Sequence, residues 1–396
     1  MTITYKCYLT ILLPKAWLRF CLNCALILFI QPSLAIEASV SGYARIVSGI
    51  MDDSNGRYQG YDDEIAFDQD SLLGLQTQLK ITEQLSFTAL GVAHSNTDID
   101  SGIEWLYFNY RPYPVTQIKL GKMRTPFYSK SDVLNVGYAY PWVMAPKELY
   151  TNYIFDEFQG IDLRYSYFAK NYSTLLEIYY GEFDDEITVN SSQFDAKVDN
   201  LQGIIAELRF GGFNYRLSFH KGDANPDLQL ESFADSIQLA GFKDTAESLK
   251  TEGHVEFYQV GIEYDSLDYF LISEWTKIKP SQKLFPEKTS YYLTLGHHFN
   301  ELTYLVTYSH QKDDLEAQVN DIPNGLSPAL DQLSAGYQQI YDNRQQDHIA
   351  GWSLGLRWDF RYDTALKAEL KNIQTKQDNT SDNESSIMLF GLEWVF

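Results

Sequence analysis

Cysteine is nearly absent from this chain of 396 residues: Cys7, Cys21 and Cys24 are the only three. Past Cys24 there is no disulfide framework, no Cys-bearing metal site and no thiol nucleophile. Long apolar runs are missing too. Beyond residue 35 no stretch nears the ~20 apolar residues that a membrane-spanning helix needs, and mean hydropathy is slightly negative. Positive charge is scarce, with 31 Lys and Arg against 53 Asp and Glu and a net charge of −22. That balance argues against nucleic acid or an anionic phospholipid surface as a partner. Catalytic signatures are lacking: no Gly-rich phosphate loop, H-E-x-x-H or G-x-S-x-G occurs. The 7 histidines are scattered, and the neighbours His297 and His298 point to opposite faces if they lie on a strand, so they cannot chelate one metal together. His220 near Asp223, or His254 near Glu256, could supply a base, but the reading is of a non-enzyme with no cofactor and no bound metal.

The first 35 residues read as a secretory signal peptide. Lys6, Lys15 and Arg19 form a positive region with no acid before Glu37, residues 20–30 form an apolar core broken by Asn23, and Ser33-Leu34-Ala35 is a small-x-small cleavage site. The apolar core is too short for a transmembrane anchor. Asn23 before Cys24 does not fit a lipoprotein box. Removing those three basic residues takes the net charge from −22 to about −25 and leaves a chain, 36–396, without cysteine.

Aromatic residues, by contrast, are plentiful at 15%, with Tyr 29 and Phe 23. Tyr and Trp gather where one end of a side chain is apolar and the other wet, as at a bilayer interface. A chain with no spanning helix that nonetheless enters a membrane must do so as a closed barrel, because only closure pairs every backbone group in lipid. The period of the sequence agrees. About 16 segments alternate apolar and polar residues, each close to the ~10 residues of a tilted membrane strand. They are 39–50, 72–81, 84–94, 103–111, 115–122, 160–168, 172–183, 201–210, 213–220, 254–264, 268–278, 290–299, 302–311, 350–360, 364–373 and 385–396. In the ninth, Phe213, Tyr215, Leu217 and Phe219 oppose Asn214, Arg216, Ser218 and His220. In the third, fourth and eleventh both faces hold apolar residues.

The connections alternate strictly between short turns and long loops, the pattern of an up-and-down barrel in an outer membrane. Aromatics flank the short turns, among them Tyr110 and Tyr113, Phe168 and Tyr172, and Phe360 and Tyr362. The last segment carries one uniformly apolar face (Met388, Phe390, Leu392, Trp394, Phe396) and ends on Phe396. It resembles the closing strand of bacterial outer-membrane barrels. Acids concentrate in the long connections: Asp52, Asp53, Asp62, Asp63 and Glu64; Asp184, Asp185 and Glu186; Asp313, Asp314 and Glu316. They read as solvated loop tips or as sites where divalent cations bridge to lipopolysaccharide.

One long connection differs. Gly121-Lys122-Met123-Arg124-Thr125-Pro126-Phe127 leaves the fifth segment, and residues 128–150 that follow are rich in Tyr, Trp, Pro and apolar residues. Such a stretch must be buried, and inside a barrel it can fold back against the wall. With the G-x-x-R-x-P-F exit, the aromatic inserted loop, the strand number and the terminal Phe, the whole of 36–396 resembles the Gram-negative general porin superfamily. The resemblance implies an all-β, transmembrane, antiparallel up-and-down β-barrel of about 16 strands with an inward-folded constriction loop after strand 5. It further implies a trimeric, water-filled pore in the outer membrane, among lipid and lipopolysaccharide, in which loop acids face a ladder of bases on the opposite wall. Carried onto this sequence, the loop acids are Asp132, Glu148, Asp156 and Glu157. The bases that the alternation turns inward are Arg45, Lys80, Lys119, Arg164, Arg209, Arg216, Arg357, Lys367 and Lys371, and the loop itself adds Lys122, Arg124, Lys130 and Lys147. Opposed charges across a narrow wet gap create a transverse field that orients dipolar solutes. Alternatively, the bases pair with wall acids such as Glu207 and Glu369 and only stiffen the wall.

The expected function is passive diffusion of small hydrophilic solutes and ions. A substrate-selective channel, for instance for small organic anions, is the second reading, and a surface adhesin or receptor barrel the third.

Overall fold

The structure is a computed structural model that describes residues 36–52, 58–97, 99, 101–151, 155–189, 192–344, 346, 348–376 and 383–396. The expected signal peptide, 1–35, and Asp53 lie outside the described residues.

The described residues form sixteen strands, of which the first half comprises β1 (Glu37–Met51), β2 (Leu72–Lys80), β3 (Leu85–His94), β4 (Gly102–Tyr113), β5 (Thr116–Arg124), β6 (Glu157–Phe168), β7 (Tyr172–Val189) and β8 (Ser192–Phe210). The second half comprises β9 (Phe213–Pro226), β10 (Gly253–Asp265), β11 (Tyr269–Pro280), β12 (Glu287–Phe299), β13 (Leu302–Asp314), β14 (His348–Arg361), β15 (Thr364–Lys376) and β16 (Asn383–Val395). Each pairs antiparallel with its neighbours in sequence, and β1 pairs with β16, closing the barrel. At the seam the Phe396 amide donates to the Gly42 carbonyl at 2.9 Å and the Gly42 amide donates back to Phe396 at 2.8 Å. Closure leaves no edge, which is what lets the wall sit in lipid.

The alternation in sequence becomes an outside and an inside. On β9, Tyr215, Leu217 and Phe219 are exposed while Arg216, Ser218 and His220 are buried. On β16, Met388 and Phe390 are exposed while Ile387, Leu389 and Glu393 are buried. The apolar set faces outward, the face on which a charge costs ~2–4 kcal/mol at mid-depth. Exposed Tyr113, Phe168, Tyr172, Phe360 and Tyr362 gather at the short-turn end, the place where aromatic girdles form.

The long-loop end departs from the sequence reading in three ways. Residues 184–189 and 192–200, expected as part of a loop, instead continue β7 and β8, pairing up to Val189↔Ser192. The outward face of this extension carries Asp184, Glu186, Asp195 and Lys197 while Ala196 and Val198 turn inward and are buried, so it lacks the apolar outer face of a wall strand. Three other long connections carry helices: α1 (Lys147–Tyr150) sits in the loop after β5, α2 (Glu231–Leu239) and α3 (Lys243–Glu247) follow β9, and α4 (Pro328–Asp342) follows β13. Ser327 caps α4 by accepting from the Leu330 amide at 3.3 Å, with Pro328 as its first residue. Ile237, Leu249, Leu284, Ile322, Tyr337 and Tyr341 form a small core joining the loops after β9, β11 and β13. Finally, Asp313 is not a loop tip. It is buried on β13, with Lys288 at 3.2 Å.

Candidate pore and its inserted loop

Residues 125–151 leave the long-loop end of β5 and enter the barrel. Their composition explains it: Phe127, Tyr128, Tyr140, Trp142, Leu149 and Tyr150 are each less than a tenth exposed. They pack on inward-facing Phe158, Tyr179, Ile205, Phe257, Tyr292 and Leu305 in one continuous apolar core. The sector between β6 and β13 is therefore filled.

Hydrogen bonds fix the loop to the wall around most of the circumference. The Trp142 indole donates to Thr294 (3.0 Å) on β12 and Thr307 (3.1 Å) on β13. Glu274 on β11 accepts from the Ser129 amide at 3.0 Å and the Tyr150 hydroxyl at 2.9 Å. Lys367 on β15 donates to three loop carbonyls, those of Gly137, Tyr140 and Trp142, at 2.7–2.8 Å, and pairs with Glu393 at 3.5 Å. Gly137 lies so close to β16 that a Cβ there would overlap the Glu393 carboxylate. At the deepest point the Tyr138 hydroxyl donates to the Tyr362 carbonyl at 2.6 Å. The loop thus runs from the long-loop end to a short turn.

A second latch lies nearer the long-loop end. Lys147 meets Asp70 at 2.8 Å and Arg45 donates to the Asp70 carbonyl at 2.9 Å. Burial works against the Asp70 carboxylate, but Lys147 and Arg45 together hold its pKa below the ordinary value. Glu148 in α1 behaves alike: it is buried, and Lys371 keeps its pKa low.

What remains open lies against the first five strands. A cavity of about 620 Å³ extends from Arg124, at the upper end of β5, to Tyr362 and Phe396 at the short-turn end. Its wall is shaped by a β-bulge. Leu90 pairs with Trp105 but Gly91 pairs with Ile103, so Glu104 is the extra residue. Successive strand residues normally face opposite ways; the bulge lets both Glu104 and Trp105 line the cavity. Glu104 then becomes a hub, accepting from Arg124 at 2.8 Å and Asn135 at 2.7 Å, with His94 at 3.5 Å.

No protein-family model and no curated protein matches the chain. Solved structures do. A loop-deletion form of OmpT, an outer-membrane protein of Vibrio cholerae, superposes with a TM-score of 0.56 at 10% identity, covering 91% of this chain and 100% of that one. The outer-membrane channel DcaP of Acinetobacter baumannii gives 0.56 at 11%, covering 93% and 99%. The anion-selective porin of Comamonas acidovorans gives 0.55 at 13%, covering 91% and 100%. This chain has the porin fold. At these identities the likeness is one of fold. The matched proteins belong to Gram-negative outer membranes, and the closed, apolar-faced barrel suits that location.

Within this porin-type barrel, the residues singled out from sequence fall into three groups. Five bases hold the inserted loop. Arg45 donates to Tyr140 at 2.7 Å, Arg216 to the Phe127 and Pro126 carbonyls, and Arg357 to the Tyr138 and Tyr140 carbonyls, while Lys367 and Lys371 act as above and below. A second group borders the open side: Arg124 pairs with Glu104 and with Asp156 (3.1 Å), and Arg164 with Asp132 (3.3 Å) and Glu177 (3.0 Å). Lys119 lies 5.3 Å from the Tyr107 ring, and Glu157 pairs with Lys122. The third group is peripheral. Lys80 sits at the short-turn end of β2 beside Glu83 (3.1 Å), and Arg209 is exposed at the end of β8 beside Glu207 (3.5 Å).

Sequence reasoning missed Glu104, Asp70, Glu274 and Glu393. The one visible signal was the fourth segment, whose mixed faces mark the bulge.

Proposed function

We propose that this barrel is a passive channel of the outer membrane through which small hydrophilic solutes and ions diffuse. The carrying observation is the cavity beside the inserted loop. It runs the depth of the wall from Arg124 to Tyr362 and is bordered by the charged sets Glu104–Arg124–Asp156 and Asp132–Arg164. A wet, charged inner face is tolerated only where water reaches it. The inserted loop then serves as the constriction, and the transverse field arises from these two sets on one side of the pore. A row of bases that would draw organic anions is less supported, because Arg216, Arg357, Lys367 and Lys371 are engaged by the loop. We further propose residues 1–35 as a cleaved signal peptide and a homotrimeric assembly; a matched OmpT structure in trimer form, with a TM-score of 0.51 at 10% identity, supports the latter.

Single-channel recording of the refolded chain in a planar bilayer tests the reading. Discrete conductance steps in KCl, arriving in threes, are expected. A demonstrably folded barrel that carries no current would overturn it.

A further inference from the structure

A barrel fold leaves open which solutes a channel favours; the charge along the route decides it. The described part of the loop after β1, residues 58–71, holds Asp62, Asp63, Glu64, Asp68 and Asp70 and no Lys or Arg. This loop is fixed to strands that wall the open side of the barrel. Ala66 bridges to Gly49 on β1, the Met51 amide donates to the Asp62 carbonyl at 2.7 Å, and the hydroxyl of Ser95, just past β3, donates to the Asp68 carbonyl at 2.9 Å. Asp70 is engaged by Lys147 at 2.8 Å. Asp62, Asp63, Glu64 and Asp68 have no cationic partner among the described residues.

Further in, acids outnumber the bases they meet. Arg124 is the one base among the described residues that line the cavity, beside Glu104, Asp132 and Asp363. It is shared between Glu104 and Asp156, which leaves that set with one negative charge in excess. Arg164 is divided among Asp132, Asp162 and Glu177, and Lys119 is the other base facing that group. A route that opens beside unpartnered carboxylates and narrows past carboxylates in excess holds cations at a higher local concentration than anions, and its low-dielectric walls focus that field.

We propose that the channel favours small cations over anions, with the loop after β1 as the outer collecting surface and the Glu104–Arg124–Asp156 set as the inner filter. The proposal rests on the channel reading and names the solute class that the same passage takes.

The experiment measures reversal potentials of the refolded full chain under a KCl gradient, at mean concentrations of about 0.1 M and about 1 M, where the field of a fixed charge reaches about 10 Å and about 3 Å. A cation-selective potential is expected for the wild type at both. Asp62→Asn combined with Asp63→Asn and Glu64→Gln should lower the ratio of potassium to chloride permeability roughly twofold at the lower concentration and leave it unchanged at the higher, because a charge set back from the path is screened first. Glu104 borders the path itself, so Glu104→Gln should lower the ratio at both. Asp244→Asn, which neutralises an exposed acid of α3 in the loop after β9, is the control and should change neither. A wild type that conducts with no preference, or with a preference for anions, would overturn the proposal and leave the channel reading standing. An equal loss from Asp244→Asn and from the loop variant would mean that total charge sets the preference, overturning the roles given to the loop and the filter. A demonstrably folded barrel without current would remove the channel reading and this proposal with it.

Discussion

Lys371 and Glu148 meet inside the barrel, the ammonium donating to both carboxylate oxygens at 2.6 and 2.8 Å. The same ammonium reaches the Tyr58 hydroxyl at 2.8 Å. One buried contact therefore ties the inserted loop, the loop after β1 and the wall strand β15 together. Breaking a buried pair from one side strands a charge and typically costs about 3–5 kcal/mol, whereas replacing both partners costs far less. Lys371→Met should loosen the inserted loop, lower the thermal transition of the heat-modifiable band and make the current noisy. The double variant Lys371→Met with Glu148→Leu should recover much of that stability, as a double-mutant cycle would read out.

Gly137→Val tests the loop's seat on β16. Any side chain there overlaps Glu393, so the carbonyl tripod around Lys367 must move. Limited proteolysis should cut residues 125–156 in the variant and leave them intact in the wild type. Equal resistance would mean that the loop rests elsewhere.

Acid should release the two loop latches. Asp70 and Glu148 both have folded-state pKa values below their ordinary ones. The stability they contribute is present above the unfolded value of about 4 and is lost as pH falls through the depressed folded values. Conductance should be flat from about pH 5 to 8 and change below about pH 4. Asp70→Asn should show part of that change already at neutral pH.

Ion preference should follow the balance at the bulge. Arg124→Gln leaves Glu104 and Asp156 without their cation and should shift the reversal potential in a KCl gradient toward cations. Glu104→Gln should shift it toward anions. A shift on the order of 0.5 kcal/mol, roughly twofold in permeability ratio, is the scale for one charge bordering a wet path.

The wall was legible because lipid imposes a strict rule on every second residue. All 16 alternating segments correspond to strands, and Met388, Phe390 and Phe396 are exposed on the face read from their spacing. Legibility ended where lipid stopped acting. The hairpin that extends β7 and β8 turns charge outward and apolar Ala196 and Val198 inward, the reverse of a lipid-facing strand, and α2 to α4 bury their apolar faces against one another and the loops beside them. The bulge at Glu104 showed in sequence only as mixed faces in the fourth segment, because it breaks the period that made its neighbours readable. Charge type alone could not separate Lys367, held by three carbonyls, from Arg124 at the open side; a base looks the same in sequence whether its partner is a solute or a backbone.

The seam between Gly42 and Phe396 bears on how the molecule is made. Its strands are the first and last of the sheet, so β1 must wait for the entire wall before it finds its partner. Contacts of such long sequence separation form slowly, since the intervening chain has to be ordered first. Until then both β1 and β16 present open backbone edges that can pair with a neighbouring chain. Removing the final few residues should therefore harm assembly far more than it harms the finished barrel, and the damage should appear as aggregated precursor, with little effect on the conductance of whatever fraction has closed.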